Sequence, residues 1–189
     1  MSPILGIWAS SIQPSLNATS FDSIATTTVG SGGQSTVTFS SIPSTYKHLQ
    51  IRGIARTDRA TYTSDPLKLT FNSDGGSNYA RHFLLGDGSS ATADGVSSQT
   101  FIQNYLITTN VATSGVFAAF VIDILDYGST SKNKTVRTLM GFDNNGSGYI
   151  GLNSGLWNST SAVTSLSLAG QFGTFQQYSS FALYGIKGA

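Results

Sequence analysis

Histidines and acids are the residues best able to do chemistry in this chain, and they are few. There are two histidines, His48 and His82, and nine acidic residues, all of them Asp; Cys and Glu do not occur. A metal site would need both histidines plus aspartates, and no ligand spacing marks one. Both histidines are therefore expected as surface or hydrogen-bonded structural residues. Asp123 and Asp126 stand three apart in a strand-like run, which sends them to opposite faces and rules out a shared bond between them. Asp74 and Asp143-Asn-Asn-Gly-Ser look a little like calcium loops but lack the distal bidentate acid, so they read as turns. Gly86-Asp-Gly-Ser-Ser-Ala91 imitates a dinucleotide fingerprint, yet no helix is expected to follow it. Neither a Gly-x-Ser-x-Gly elbow nor a P-loop occurs. The chain reads as non-enzymatic, with no cofactor and no metal.

Two constellations remain. Asp123, between Ile122 and Ile124, must be paired if it is buried, and Arg52 or Arg137 is its expected partner. Tyr149 and Trp157 could stack on a saccharide while Asn145 or Asn153 bonds its hydroxyls; the competing expectation is that aromatics on strands fill the core. Arg52, Arg56, Arg59 and Arg81 could cluster if their strands adjoin, as a subunit contact more than a nucleic-acid groove.

What must position these residues is a set of strands. In residues 46–57 Leu49, Ile51, Gly53 and Ala55 alternate with Gln50, Arg52, Ile54 and Arg56, the period of a half-buried strand. Residues 180–187 share that character, and the two are expected as central, adjacent strands. Each holds a glycine, Gly53 and Gly185, at the same depth, which requires a bulky neighbour or close backbone there. The run 116–127 is almost wholly apolar and predicts burial on both faces. Residues 86–98, rich in Gly, Ser and Ala, read as loop. The segment 71–79 resembles 142–149, and two matching hairpins would suit a jelly roll, although hairpin chemistry also repeats by itself.

Composition agrees. The 189 residues are 39% hydrophobic and only 10% charged, and the 21 Gly supply turns. The absence of Glu argues against helix surfaces. A net charge of +1 draws the chain to neither nucleic acid nor anionic membrane. No apolar run approaches the roughly 20 residues that span a bilayer. The expected fold is all-β: a single antiparallel β-sandwich, jelly-roll-like, of about ten strands, with an extended N-terminal arm.

That arm is residues 1–20, set against a sandwich domain at 21–189. Ile4, Leu5, Ile7, Trp8 and Ile12 are apolar, while Pro3, Gly6 and Pro14 spoil helix and central strand alike. No basic n-region marks a secretory signal. Such a segment either covers its own domain as an edge strand or clasps a partner subunit.

From residue 21 onward the chain resembles a family of virion proteins of tailed bacteriophages of the cyanophage and marine-phage type. The resemblance is carried by Phe21-Asp-Ser-Ile-Ala-Thr, by residues 42–57 from Ile-Pro-Ser-Thr-Tyr-Lys to Ile-Ala-Arg-Thr, and by Phe71-Asn-Ser-Asp. Phe120-Val-Ile-Asp-Ile-Leu-Asp-Tyr127, Lys134-Thr-Val-Arg137, residues 178–188 and the leader Ile4-Leu-Gly-Ile-Trp-Ala-Ser10 extend it. It implies a multi-copy particle component, commonly a trimer, located in the virion and anchored to other virion proteins by the arm. Two placements follow from it: a tail-fibre or tail-appendage module able to touch a host-surface glycan, or a capsid decoration (cement) protein. Outside the virion class stands a free carbohydrate-binding module.

Overall fold

A computed structural model describes residues 20–188. The expected anchoring residues Ile4, Leu5, Ile7, Trp8 and Ile12 lie outside them. The described chain contains no helix and runs through twelve strands. They are β1 (Phe21–Thr28), β2 (Thr36–Phe39), β3 (His48–Thr57), β4 (Ser64–Phe71), β5 (Tyr79–Gly86) and β6 (Ala91–Gln99). Then follow β7 (Ile102–Thr109), β8 (Ala118–Leu125), β9 (Lys134–Asp143), β10 (Gly148–Trp157), β11 (Leu166–Gly170) and β12 (Ser180–Ile186).

The strands are hydrogen-bonded in the order β2-β11-β4-β7-β3-β8-β9-β10-β5-β6, with β12 also on β3 and β1 on β12. The sheet branches at β3. Residues 48–55 sit between β12 and β8, both antiparallel, whereas Arg56 and Thr57 pair in parallel with Thr108 and Thr109 of β7. The sheet is therefore mixed rather than purely antiparallel, and it has twelve described strands rather than about ten. β7 lies over the face of β9 and β10: Asn104 accepts from Thr138 Oγ1 at 2.7 Å and from Asn153 Nδ2 at 3.2 Å. Between the strands lies one apolar core in which Leu49, Ile51, Leu69, Ile107, Ile122 and Leu183 are 0% exposed.

β3 and β12 are neighbours, Phe181 opposite Gly53 and Gly185 opposite Leu49. The glycines serve close approach. A Cβ on Gly53 would stand 2.4 Å from the Phe120 ring and 2.8 Å from the Ser180 carbonyl oxygen. One on Gly185 would stand 2.3 Å from the Tyr46 ring.

Three expectations need correction. β8 is not buried on both faces: Ala118, Phe120, Ile122 and Ile124 point inward, while Ala119 and Leu125 are exposed and Val121 and Asp123 half-buried. An apolar run can still have a solvent side, and hydrophobicity alone does not fix the number of layers. Most of the stretch 86–98, read as loop, belongs to β6, an edge strand paired only with β5. It buries almost nothing, so its small residues carry no apolar period to detect. Finally, 71–79 is no hairpin, because β4 and β5 do not pair; it crosses from one part of the sheet to another. Only 142–149 is one, turning on Asn145 and Gly146 at φ 61° and 99°. Two successive positive φ values are what a two-residue hairpin that matches strand twist demands.

Candidate functional site

The four residues named for sugar binding do not converge. Trp157 is 2% exposed and lies against Phe71 and Tyr79, ring centroids 5.4 and 6.4 Å away. Asn153 is 4% exposed and spends its amide on Asn104. Tyr149 sits at the other end of β10, about 26 Å away along the strand, edge-on to Phe142. Asn145 is the turn residue described above. The reading as a stacking platform is corrected accordingly: odd-numbered residues of this strand point into the core.

The carboxylates and histidines serve local structure. Asp74 accepts from Trp157 Nε1, Asn78 Nδ2 and the Gly76 amide, and those bonds, the indole's first, hold its carboxyl below the ordinary range. Asp143 accepts from the Gly146 amide within its own hairpin. His48 Nδ1 accepts from the Asp126 amide at 3.0 Å. His82 lies across from Gly95, where an added Cβ would stand 2.3 Å from its ring. Among the described residues no three His or Asp side chains gather as ligands.

The arginines have separate surroundings. Arg56 is 7% exposed and donates to the carbonyls of Ala112, Thr113 and Val116, and burial pulls its pKa down. Arg59 is held between Tyr62 and Phe172, 4.4 and 4.2 Å from their centroids. Arg81 is 8% exposed and reaches Gln103. Arg52 lies on the outer surface of β3, where Nε donates to Gln50 Oε1 at 2.7 Å. Gln50 donates on to Asp123 Oδ1 at 2.7 Å, and Arg137 Nη2 reaches Asp123 Oδ2 at 2.8 Å. Gln50, Asp123 and Arg137 thus form one polar row across β3, β8 and β9, with Arg137 in direct contact with Asp123. Arg52 stands in the next row, opposite Val121, and is linked through Gln50.

Beside that row the same outer face turns apolar. Leu84 on β5, Leu152 on β10, Leu139 on β9 and Val121 on β8 stand in register, each opposite the next. The next row toward the end of β3 reads Gly86, Ile150, Gly141, Ala119 and Ile54. Ile150 is 63% exposed, Leu152 52%, Leu84 51%, Leu139 50% and Ile54 43%. Gly86 and Gly141 leave shallow apolar depressions on either side of Ile150, edged by Leu139 and Val121 on one side and by Leu84 and Leu152 on the other. Apolar side chains on adjoining strands thus form one exposed cluster on this face. The signal was present in the sequence as an apolar outward phase in three strands, Ala119/Val121, Leu139/Gly141 and Ile150/Leu152. It goes unnoticed when only the core phase is sought.

A second exposed feature lies at the end where β3 finishes. Tyr62, Phe172 and Tyr178 are 59%, 62% and 67% exposed around the segment that follows Thr57. Phe172 and Gly173 donate their amides to Asp65, and Thr174 donates to Asp58, which anchors this loop group. The opposite end of β3 is where the chain enters β1: the Lys187 amide donates to the Ser20 carbonyl at 3.1 Å.

The fold and these surfaces define an all-β protein with an apolar outer face and a loop end that carries exposed aromatics. The chain matches no protein-family model, no curated protein and no solved structure.

Proposed function

We propose that this chain is a non-enzymatic structural component of a tailed-bacteriophage virion, a tail-fibre or tail-appendage module. The observation that carries the reading is its polarity. β1, which the apolar residues Ile4, Leu5, Ile7, Trp8 and Ile12 precede in sequence, begins at one end of β3, and the exposed aromatics Tyr62, Phe172 and Tyr178 surround the other. Ten strand residues separate the two, about 33 Å. Such a body can be held at one end to other virion proteins, further copies of itself among them, and touch a host surface, including a glycan, at the other. The branch at β3, with β7 lying over β9 and β10, supports reading the architecture as a β-sandwich, and repeated copies, a homo-trimer among them, would shield the apolar outer face. The jelly-roll expectation loses its motive with the second hairpin.

A capsid decoration protein is the second reading, favoured by the breadth of the apolar face, which would suit a subunit lying across its neighbours. With Trp157 and Asn153 buried, nothing argues for a free carbohydrate-binding module. Counting copies on a gel of purified particles tests the proposal: tens or fewer place the chain in the tail, hundreds make it cement. Absence from the particles ends both readings. In the tail case Tyr62→Ala with Phe172→Ala should reduce attachment to host cells and leave particle assembly intact.

A further inference from the structure

We infer that the apolar outer face of β5, β10, β9 and β8 is the seat of the N-terminal segment of a second copy of this chain. The inference rests on the multi-copy reading above and names the partner of the arm.

The chemistry of the two surfaces matches. Residues 1–20 contain no charged side chain, and Ile4, Leu5, Ile7, Trp8 and Ile12 make them strongly apolar. The two rows centred on Leu139 and Ile150 are equally uncharged between β6 and β8. The depressions beside Ile150 exist because Gly86 and Gly141 have no side chain, so the face offers recesses for branched or aromatic side chains rather than a flat wall. A Leu or Ile left half exposed on each of several neighbouring strands is unfavourable until it is covered.

Length and exit decide which copy supplies the cover. The 19 residues before Ser20 span up to about 60 Å when extended. The centre of the face lies on the order of 30 Å from Ser20, about 20 Å along the strands and about 20 Å across them. Either copy's segment is long enough. The path differs. β1 runs from Phe21 toward Thr28, so the residues before it leave from the end away from the apolar rows. The direct path back over its own body crosses the row of Tyr184, Gln50, Asp123 and Arg137 and would lay apolar groups on an ion pair. Covering that row with apolar groups removes water from charges without replacing it. A neighbouring copy can bring its segment over the rim at β6, where the outward residues Ala91, Ala93 and Gly95 carry no charge. Contacts of this kind are head-to-tail, and they close into a ring when the rotation allows.

The test uses full-length protein in three forms, compared by sedimentation: wild type, Leu139→Asp with Leu152→Asp on the face, and Ile7→Asp with Trp8→Asp on the segment. All four sites lie outside the core or the described residues, and thermal melts check that each variant folds. The wild type is expected to form a closed oligomer. Each double variant should be monomeric, its self-association weakened about a hundredfold or more. An equimolar mixture of the two variants should form a one-to-one heterodimer, because only one intact segment and one intact face remain. A monomeric wild type overturns the inference, as does a segment variant that still oligomerises through its body, or a mixture that stays monomeric. The particle reading fails separately. A chain that passes this test but is missing from purified virions sinks that reading alone, and one found in virions without complementation sinks this one alone.

Discussion

Trp157 Nε1 donates to Asp74 Oδ2 at 2.7 Å, tying the last residue of β10 to the crossover between β4 and β5. The indole also fills the space between Phe71 and Tyr79, whose hydroxyl takes part in the same knot by donating to the Asp74 carbonyl at 3.1 Å. Burial pushes that phenol up to about 12, so it stays a donor at any pH the fold meets. Trp157→Ala removes both packing and the bond and is expected to cost about 3–5 kcal/mol of stability. Asp74→Asn keeps an acceptor but loses the charge, and about 1–2 kcal/mol is expected. Urea melts of the two variants check the order.

Acid should loosen the fold through carboxylates that are bonded only in the native state. Lys132 and Lys47 on Asp126 hold its pKa at about 2, and Trp157 and Asn78 lower that of Asp74. In both cases the folded pKa lies below the unfolded value near 4. Between the two the unfolded chain binds more protons, so stability is present above the unfolded pKa and is lost as pH falls toward the folded one. The melting temperature is expected to be level near pH 6 and to drop from about pH 4 downward. Asp126→Asn should flatten part of that drop; a profile unchanged by the substitution would count against the assignment.

Gly53 is where a side chain cannot go. Phe120 is 3% exposed and fixed in the core, and the Ser180 carbonyl belongs to the β3–β12 ladder, so neither can withdraw cheaply. Gly53→Ala is expected to destabilise by about 1–3 kcal/mol through overpacking. Gly30→Ala is the control, since nothing lies within 4 Å of its added Cβ. It should be neutral or slightly stabilising by restricting the unfolded chain. Calorimetry on the pair decides it.

These contrasts show what the sequence made legible. The alternation in 46–57 and 180–187 marked β3 and β12, and Gly53 and Gly185 announced the close approach of Phe120 and Tyr46. Pairing across 14 positions brought Arg137 to Asp123 because both fall in the outward phase of neighbouring strands. Trp157 and Asn153 misled because residue type advertises chemistry whereas strand phase sets direction: both share the inward phase with Gly151 and Gly155. β6 had no pattern to read because an edge strand open on both faces is selected for little beyond its backbone bonds. The branching of the sheet at Arg56 depends on two residues pairing with Thr108 and Thr109, about fifty positions away, and no local period encodes that.

Two carboxylates separate the energetic weight of exposed and buried charge. Asp123 meets Arg137 with the arginine side chain 72% exposed, so solvent already screens the pair. Arg137→Ala should lower stability by less than about 1 kcal/mol. Asp65 is 0% exposed, with Arg59 at 3.9 Å and Thr57 Oγ1, the Phe172 amide and the Gly173 amide donating to it. Burial pushes its pKa up, and these donors offset only part of that push. Asp65→Ala strands two amides and a hydroxyl without acceptors, and about 3–5 kcal/mol is expected, the penalty of breaking a buried network from one side. Because the same two amides root the loop that carries Phe172, the loss should reach the surface as well. Proteolysis between residues 170 and 178 is expected to accelerate in Asp65→Ala and to stay at the wild-type rate in Arg137→Ala. Equal cleavage in both variants would mean that the aromatic loop end is held by something other than Asp65.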